Sequence, residues 1–260
     1  MKKCKTITIA IALLMALCTG GCQMTYFELP KTDPALFSWE TSHLDKISDL
    51  SCLEIRTIFQ EVPPGQEATV LGQLEGYQVY LLTGDPYMEL AEMKETIDRS
   101  EKGFAGVMFD IEPYGRQEWK QEGDNGALLQ AFCEDLENAY SYAKEREVEM
   151  FLCIPYWYDD LGYESELERM IQNCDGFCVM NYWKGKEKEH IRDEYKLAGT
   201  YARKLWTAYE FGKADGVGIL PQNTYAEEGI EAAFKNYRKV FQKTGISPAY
   251  HDLAAILQII

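Results

Sequence analysis

Gly103-Phe-Ala-Gly-Val-Met-Phe-Asp110-Ile-Glu112-Pro113-Tyr114 is the stretch on which the reading of the whole chain turns. It is expected to form a β-strand that delivers two carboxylates to its own C-terminal end. Side chains alternate faces along a strand, so Met108, Asp110 and Glu112 point one way and Val107, Phe109 and Ile111 the other. An apolar run that ends in paired acids is a costly place for charge, because carboxylates lose hydration there without an obvious partner. Such acids serve chemistry, bind a ligand, or belong to an internal hydrogen-bond network. The ends of the other expected strands hold few basic residues, and Arg56 and Lys204 fall at strand beginnings. The balance therefore favours a functional pair.

Working outward, short apolar runs alternate with helical patterns. Strands are expected over Ile55–Val62, Tyr77–Thr83, Gly106–Ile111, Met150–Pro155, Gly176–Tyr182 and Leu205–Glu210, with Ala35–Trp39 before them and Pro248–His251 after. Helices are expected over Ser42–Leu50, Gln66–Leu74, Glu89–Ser100, Ala127–Arg146, Glu164–Asn173, Glu187–Arg203 and Tyr225–Lys243. In Ala127–Arg146 the residues Leu128, Leu129, Phe132, Leu136, Tyr140 and Ala143 make one apolar stripe. This alternation predicts an α/β fold, a single (β/α)8 TIM barrel over residues 22–260. A doubly wound sheet is the competitor, but no Gly-x-Gly-x-x-Gly turn follows the first strands. In a barrel the loops after the strands converge at one end, where such folds carry their sites.

With Asp110-Ile-Glu112 ending the fourth strand, the sequence resembles glycoside hydrolase family 18, the chitinase-like barrels. Their strand-four pattern is Asp-Gly-x-Asp-x-Asp-x-Glu, and the same register here is Ala105-Gly106-Val107-Met108-Phe109-Asp110-Ile111-Glu112. The glycine and the last two acids match, while Ala105 and Met108 replace the upstream aspartates. Met180-Asn181-Tyr182 is similar to the family's strand-six Met-x-Tyr. The resemblance implies hydrolysis of a glycan containing N-acetylhexosamine, with no cofactor. Glu112 would be the acid/base, Asp110 would orient the substrate's acetamido group as nucleophile, and Tyr182 would hold that group. The acid missing at Met108 is the family's partner for the middle aspartate.

Two alternatives remain open. One is a catalytically silent glycan-binding barrel. The other is a retaining glycosidase in which Glu210, ending the seventh strand, faces Glu112 across roughly 5 Å. Sugar contacts are expected from Tyr114, Tyr156, Trp157, Asn181, Tyr182, Trp183, Tyr209 and Glu210, since flat rings with polar edges suit pyranose faces. Many such rings serve packing instead, and two or three touching a ligand would suffice. No metal is expected, because His43, His190 and His251 have no ligand spacing. Of the three, His251 is the one placed to line the site.

The N-terminus has the marks of an export signal: Lys2, Lys3 and Lys5, a short apolar run from Thr6 to Leu17, then Thr19-Gly20-Gly21 before Cys22. The ending resembles a bacterial lipobox. That implies removal of residues 1–21, lipid on Cys22, and a membrane-anchored protein on the extracytoplasmic side. An ordinary secretory signal cut nearby is the alternative. Loss of the three lysines takes the formal charge from −16 to −19. Such acidity argues against nucleic acid as partner and leaves neutral glycans open. Cys52, Cys133, Cys153, Cys174 and Cys178 make an odd set without regular spacing, a poor disulfide framework in which only Cys174 and Cys178 suggest a pair.

Overall fold

The computed structural model describes residues 27–120, 125–216 and 218–260. The leader and Cys22 lie outside the described residues. Eight parallel strands close on themselves in sequence order: β1 (Ala35–Ser38), β2 (Thr57–Glu61), β3 (Gln78–Thr83), β4 (Gly106–Phe109), β5 (Glu149–Pro155), β6 (Gly176–Met180), β7 (Lys204–Glu210) and β8 (Ser247–His251). Closure is made by Ala35↔Ala249 and Leu36↔Tyr250. The helices α1 (Glu67–Gln73), α2 (Leu90–Ser100), α3 (Asn125–Glu145), α4 (Glu164–Gln172), α5 (Glu187–His190), α6 (Arg192–Tyr201), α7 (Ile230–Phe241) and α8 (Leu253–Leu257) occupy the connections and the C-terminus. The expected (β/α)8 barrel is the fold observed.

Each strand is a short apolar run because both of its faces are covered. Outward residues such as Val107, Phe109, Leu152, Val179 and Leu205 join the core under the helices. Inward residues form a separate cluster including Phe37, Phe59, Tyr80, Met108, Phe151, Cys153, Cys178, Trp206 and Ala208. The inward rings interlock at centroid distances of 4.6 Å for Tyr80–Phe151, 5.1 Å for Phe151–Trp206 and 5.6 Å for Phe59–Trp206. Glu149 ties the start of β5 to β3 and β7, accepting from Tyr80 Oη and Lys204 Nζ at 2.6 Å each. Further along, the inward positions of β5 and β7 are the small Cys153 and Ala208.

Three expected helices differ. The segment expected as one helix from Glu187 to Arg203 breaks at Ile191, whose φ of −104° and ψ of 5° leave the helical region and separate α5 from α6. Ser42–Leu50 is instead a run of 3-10 turns over Leu44–Leu53 that buries Leu44, Ile47, Leu50 and Leu53. Residues 225–229 precede α7 as a turn, because Tyr225 N–H donates to the Glu210 carbonyl. The Cys174–Cys178 pair is not formed: Cys178 points into the barrel, whereas Cys174 lies among the helix-side residues, and both are free. No helix of the described residues is long and apolar enough to cross a membrane.

Gly106 has a steric reason to lack a side chain. A Cβ there would lie 2.2 Å from the Glu149 carbonyl oxygen on the adjoining strand. Gly106→Ala is expected to lower stability by about 1–3 kcal/mol through overpacking of β4 on β5. Urea unfolding of the variant beside wild type measures it.

Candidate active site

Strand β4 carries Met108 inward, and the alternation continues past its last residue to Asp110 and Glu112. Asp110 N–H still donates to the Thr83 carbonyl at 2.9 Å, so the turn toward the mouth begins on a fixed backbone. Gly84 admits that backbone: a Cβ on it would lie 2.4 Å from the Asp110 carbonyl oxygen. The Asp110 side chain then rests over Met108 and Cys153, whose sulfurs are 3.7 Å apart. Its Oδ1 is buried without a hydrogen-bond partner. Burial, then the neighbouring Glu112 charge, push its pKa up to about 6, against the opposing pull of His251 and the Cys153 thiol.

Glu112 stands one step further out, where Pro113–Gly115 form a single 3-10 turn. The Tyr114 hydroxyl is within hydrogen-bonding reach of its carboxylate, and burial followed by that carboxylate raises the phenol well above its ordinary pKa. Tyr114 is backed by rings meeting edge to face, Trp157 at 5.0 Å and Tyr158 at 6.4 Å, with Trp119 at 6.5 Å. The turn is also held from β3's loop. Arg116 Nε donates to the Pro86 carbonyl, and its guanidinium lies 5.6 Å from the Tyr87 ring centroid.

Across the mouth, β7 and β8 contribute a second polar group. His251 Nδ1 lies 2.9 Å from Glu210 Oε2, while Trp39 Nε1–H donates to His251 Nε2 at 3.1 Å. An indole N–H only donates, so the facing Nε2 carries the lone pair and the imidazole proton sits on Nδ1. Glu210 Oε1 accepts from the amides of Phe211, at 2.9 Å, and Gly212, at 2.5 Å. Burial opposes ionisation of Glu210, but the His251 hydrogen bond and charge and the two amides outweigh it and hold the carboxyl below its ordinary pKa. Tyr182 completes this side, with its ring 5.9 Å from that of His251. Trp39, Tyr114 and Tyr182 all pack on the barrel's inward cluster and rim the space above it.

Asp110, Glu112, Tyr114, Tyr182 and Glu210 therefore meet at one end of the barrel. Two expected sugar contacts face the opposite way, and three more stand to the side. Tyr209 precedes inward Glu210 and so faces the helices, buried beside Tyr225 at 5.8 Å. Asn181 precedes Tyr182 and likewise turns away, its amide donating to the Glu187 carbonyl at 2.7 Å and pinning α5. Trp157 supports Tyr114 from the side. Tyr156 stacks flat on His190, at 4.2 Å and 3°, and Trp183 meets the same imidazole edge-on while remaining 37% exposed. Trp39 was not anticipated as a site residue; its position at the end of the first expected strand was the available signal. Among the described residues, no group of three or more His, Cys, Asp and Glu is arranged to hold a metal.

No protein-family model matches the chain, and no curated protein does. Among solved structures it is similar to the PgaB (BpsB) glycoside hydrolase domain from Bordetella bronchiseptica. The identity is 10% and the TM-score 0.51, over 87% of this chain and 95% of that one. A D-psicose 3-epimerase is similar at 12% identity and TM-score 0.51, over 84% of each chain. The spore cortex-lytic enzyme SleL of Bacillus megaterium QM B1551 aligns at 12% identity and TM-score 0.49, over 88% of this chain and 74% of that one. The likeness is one of fold. A hydrolase and an epimerase share it equally, so the chemistry rests on the side chains at the mouth.

Asp110 gives a signed prediction. Its folded pKa of about 6 lies above the ordinary 3.8. Its contribution to stability is therefore fully present below the ordinary value and lost as pH rises through the folded one. Asp110→Asn should gain stability relative to wild type between about pH 4 and pH 7, by about 3 kcal/mol from 1.36 kcal/mol per pH unit. Urea unfolding at both pH values tests the sign, and a gain that does not grow with pH would contradict the burial of this charge.

Proposed function

We propose that this protein is a glycoside hydrolase acting on a glycan that contains N-acetylhexosamine. The observation that carries the reading is the delivery of Asp110 and Glu112 from one strand to the mouth, with a buried Asp110 oxygen left unpartnered. In this reading Glu112 protonates the glycosidic oxygen as the C1–O bond breaks. The substrate's own acetamido oxygen attacks C1, and Asp110, once ionised, accepts the acetamido N–H and balances the positive charge that develops. Glu112, now a carboxylate, removes a proton from the water that opens the intermediate. Tyr182, Tyr114 and Trp183 offer hydroxyls and ring faces to sugar.

The geometry favours this route over a Glu112/Glu210 double displacement. Both Glu210 oxygens already accept hydrogen bonds, from His251 and from two backbone amides. A carboxylate engaged on both oxygens and only 6% exposed is poorly placed to attack an anomeric carbon. A glycan-binding barrel without turnover remains the second reading, favoured by Met108 in place of an acid.

The deciding experiment presents wild type and Glu112→Gln with N-acetylglucosamine oligomers, peptidoglycan fragments and N-glycans, following binding and product release. The expected result is turnover by wild type, about 100- to 10,000-fold slower in the variant, with binding retained. Binding by both proteins without turnover by either would replace the hydrolase with the receptor.

We further propose export and lipid attachment at Cys22, supported by the basic, apolar and small-small-Cys order of the leader. Cys22→Ser is expected to move the protein from the membrane fraction to the aqueous one. Retention of the variant on membranes would refute the anchor.

A further inference from the structure

The network on the β7–β8 side of the mouth has a property that the hydrolase reading does not use. Among the described residues the polar contact that fixes the Trp39 side chain is the hydrogen bond from Nε1 to His251 Nε2. That contact exists only while the imidazole keeps a lone pair on Nε2. Glu210 holds that tautomer by accepting the hydrogen bond from Nδ1–H at 2.9 Å, and Glu210 is itself locked by the Phe211 and Gly212 amides. The chain of contacts runs from β7 through β8 to β1 and ends on a ring at the rim.

We propose that Glu210 and His251 are positioning residues for Trp39, that the Trp39 indole is a sugar-contacting surface, and that protonation of His251 releases it. A doubly protonated imidazole presents N–H at both nitrogens, so donor would face donor where Trp39 now binds. With its N–H committed to His251, the indole offers the mouth an apolar face, the kind of surface that packs against a pyranose ring. Releasing it costs the ligand a fixed platform and an ordered side chain.

The groups around His251 set where the change occurs. Glu210 faces it from β7, Asp252 follows it in the chain, and Asp110 approaches from the β4 side. Tyr182 lies against it from the β6 side, and Phe37 of β1 meets it edge-on at 5.5 Å. Burial lowers the imidazole's affinity for a proton, but the Glu210 hydrogen bond and charge, then Asp252 and Asp110, outweigh it and raise the pKa above its ordinary value. Release therefore sets in at a higher pH than an unperturbed histidine would give.

The sugar-contact clause rests on the glycan reading, whereas the clamp does not, and the test separates them. The Trp39 indole N–H resonance, assigned by its loss in Trp39→Phe, is followed against pH in the full chain together with the His251 ring proton. Both are expected to titrate with one midpoint. In His251→Gln, whose amide oxygen accepts at every pH, the indole signal should stay flat, and in Glu210→Gln the midpoint should fall. An indole signal indifferent to His251 titration would overturn the clamp. Binding of tetra-N-acetylchitotetraose should weaken by about tenfold as pH drops through that midpoint, a loss of about 1.4 kcal/mol. His251→Gln, which keeps Asp110, should lose most of this dependence, and Trp39→Phe should bind weakly throughout. Unchanged affinity in folded Trp39→Phe would remove Trp39 from the sugar surface. Absence of binding by wild type at any pH would remove the tetramer as ligand, and with it the sugar-contact clause, while the indole titration still decides the clamp.

Discussion

A carboxylate held over sulfur and carbon sets the conditions for everything else at the mouth. The barrel interior beneath Asp110 contains Met108, Cys153, Cys178 and rings, none of which hydrates a charge as water does. Loss of hydration raises the Asp110 pKa to about 6, and proximity to Glu112 adds to it. Two acids on one strand face thus come to differ in environment, since Glu112 stands beside the Tyr114 hydroxyl and Asp110 keeps one oxygen unpaired. Such a division gives two like groups different protonation tasks.

The same constraint accounts for the backbone around the pair. Asp110 can sit that deep only because neighbouring strands approach without side chains in the way, at Gly84 against the Asp110 carbonyl and at Gly106 against that of Glu149. The larger rings fill the interior around Glu149, Lys204 and Tyr80, and on β5 and β7 the smaller Cys153 and Ala208 follow Phe151 and Trp206. The step from ring to small side chain along β5 and β7 is what brings the sulfur of Cys153 beneath Asp110.

Most of the barrel was legible in the sequence because buried parallel strands must be nearly continuous apolar runs. Gly106 to Phe109 and Met150 to Pro155 show this, and the intervening helices carry clear stripes. The site was legible where strand alternation fixed the face, as for Asp110 and Glu112. The same rule separates Tyr182 from Asn181 and Glu210 from Tyr209, since adjacent strand residues do not share a face. Reading residue type alone placed all four in the site; the register divides them. Trp39 and His251 were harder, because their contact spans 212 positions and depends on closure between the first and last strands. No local pattern records a pair brought together only when the cylinder closes. The break at Ile191 was hidden for a related reason, as α5 is held by Asn181 and by Glu187 contacts to Tyr225 and Asn236 rather than by its own periodicity.

Met108 bears most directly on the chemistry. An acid in its place would give Asp110 a second carboxylate with which to share a proton, and the thioether offers neither proton nor charge. The remaining influences on Asp110 are Glu112 beside it, the Cys153 thiol on the adjoining strand, and His251 across the mouth. A thiol is a weak donor, so it steadies an ionised Asp110 less than a protonated carboxyl would. The positive member of the set is therefore His251 when it holds a second proton. In that state His251 lowers the cost of ionising Asp110, yet it has lost the lone pair that fixes Trp39. The charge state that best supports Asp110 as an anion is thus the one that loosens the opposite rim. Full order at both sides requires Asp110 to ionise with His251 neutral, and the developing positive charge on a bound acetamido group is the natural partner for that anion.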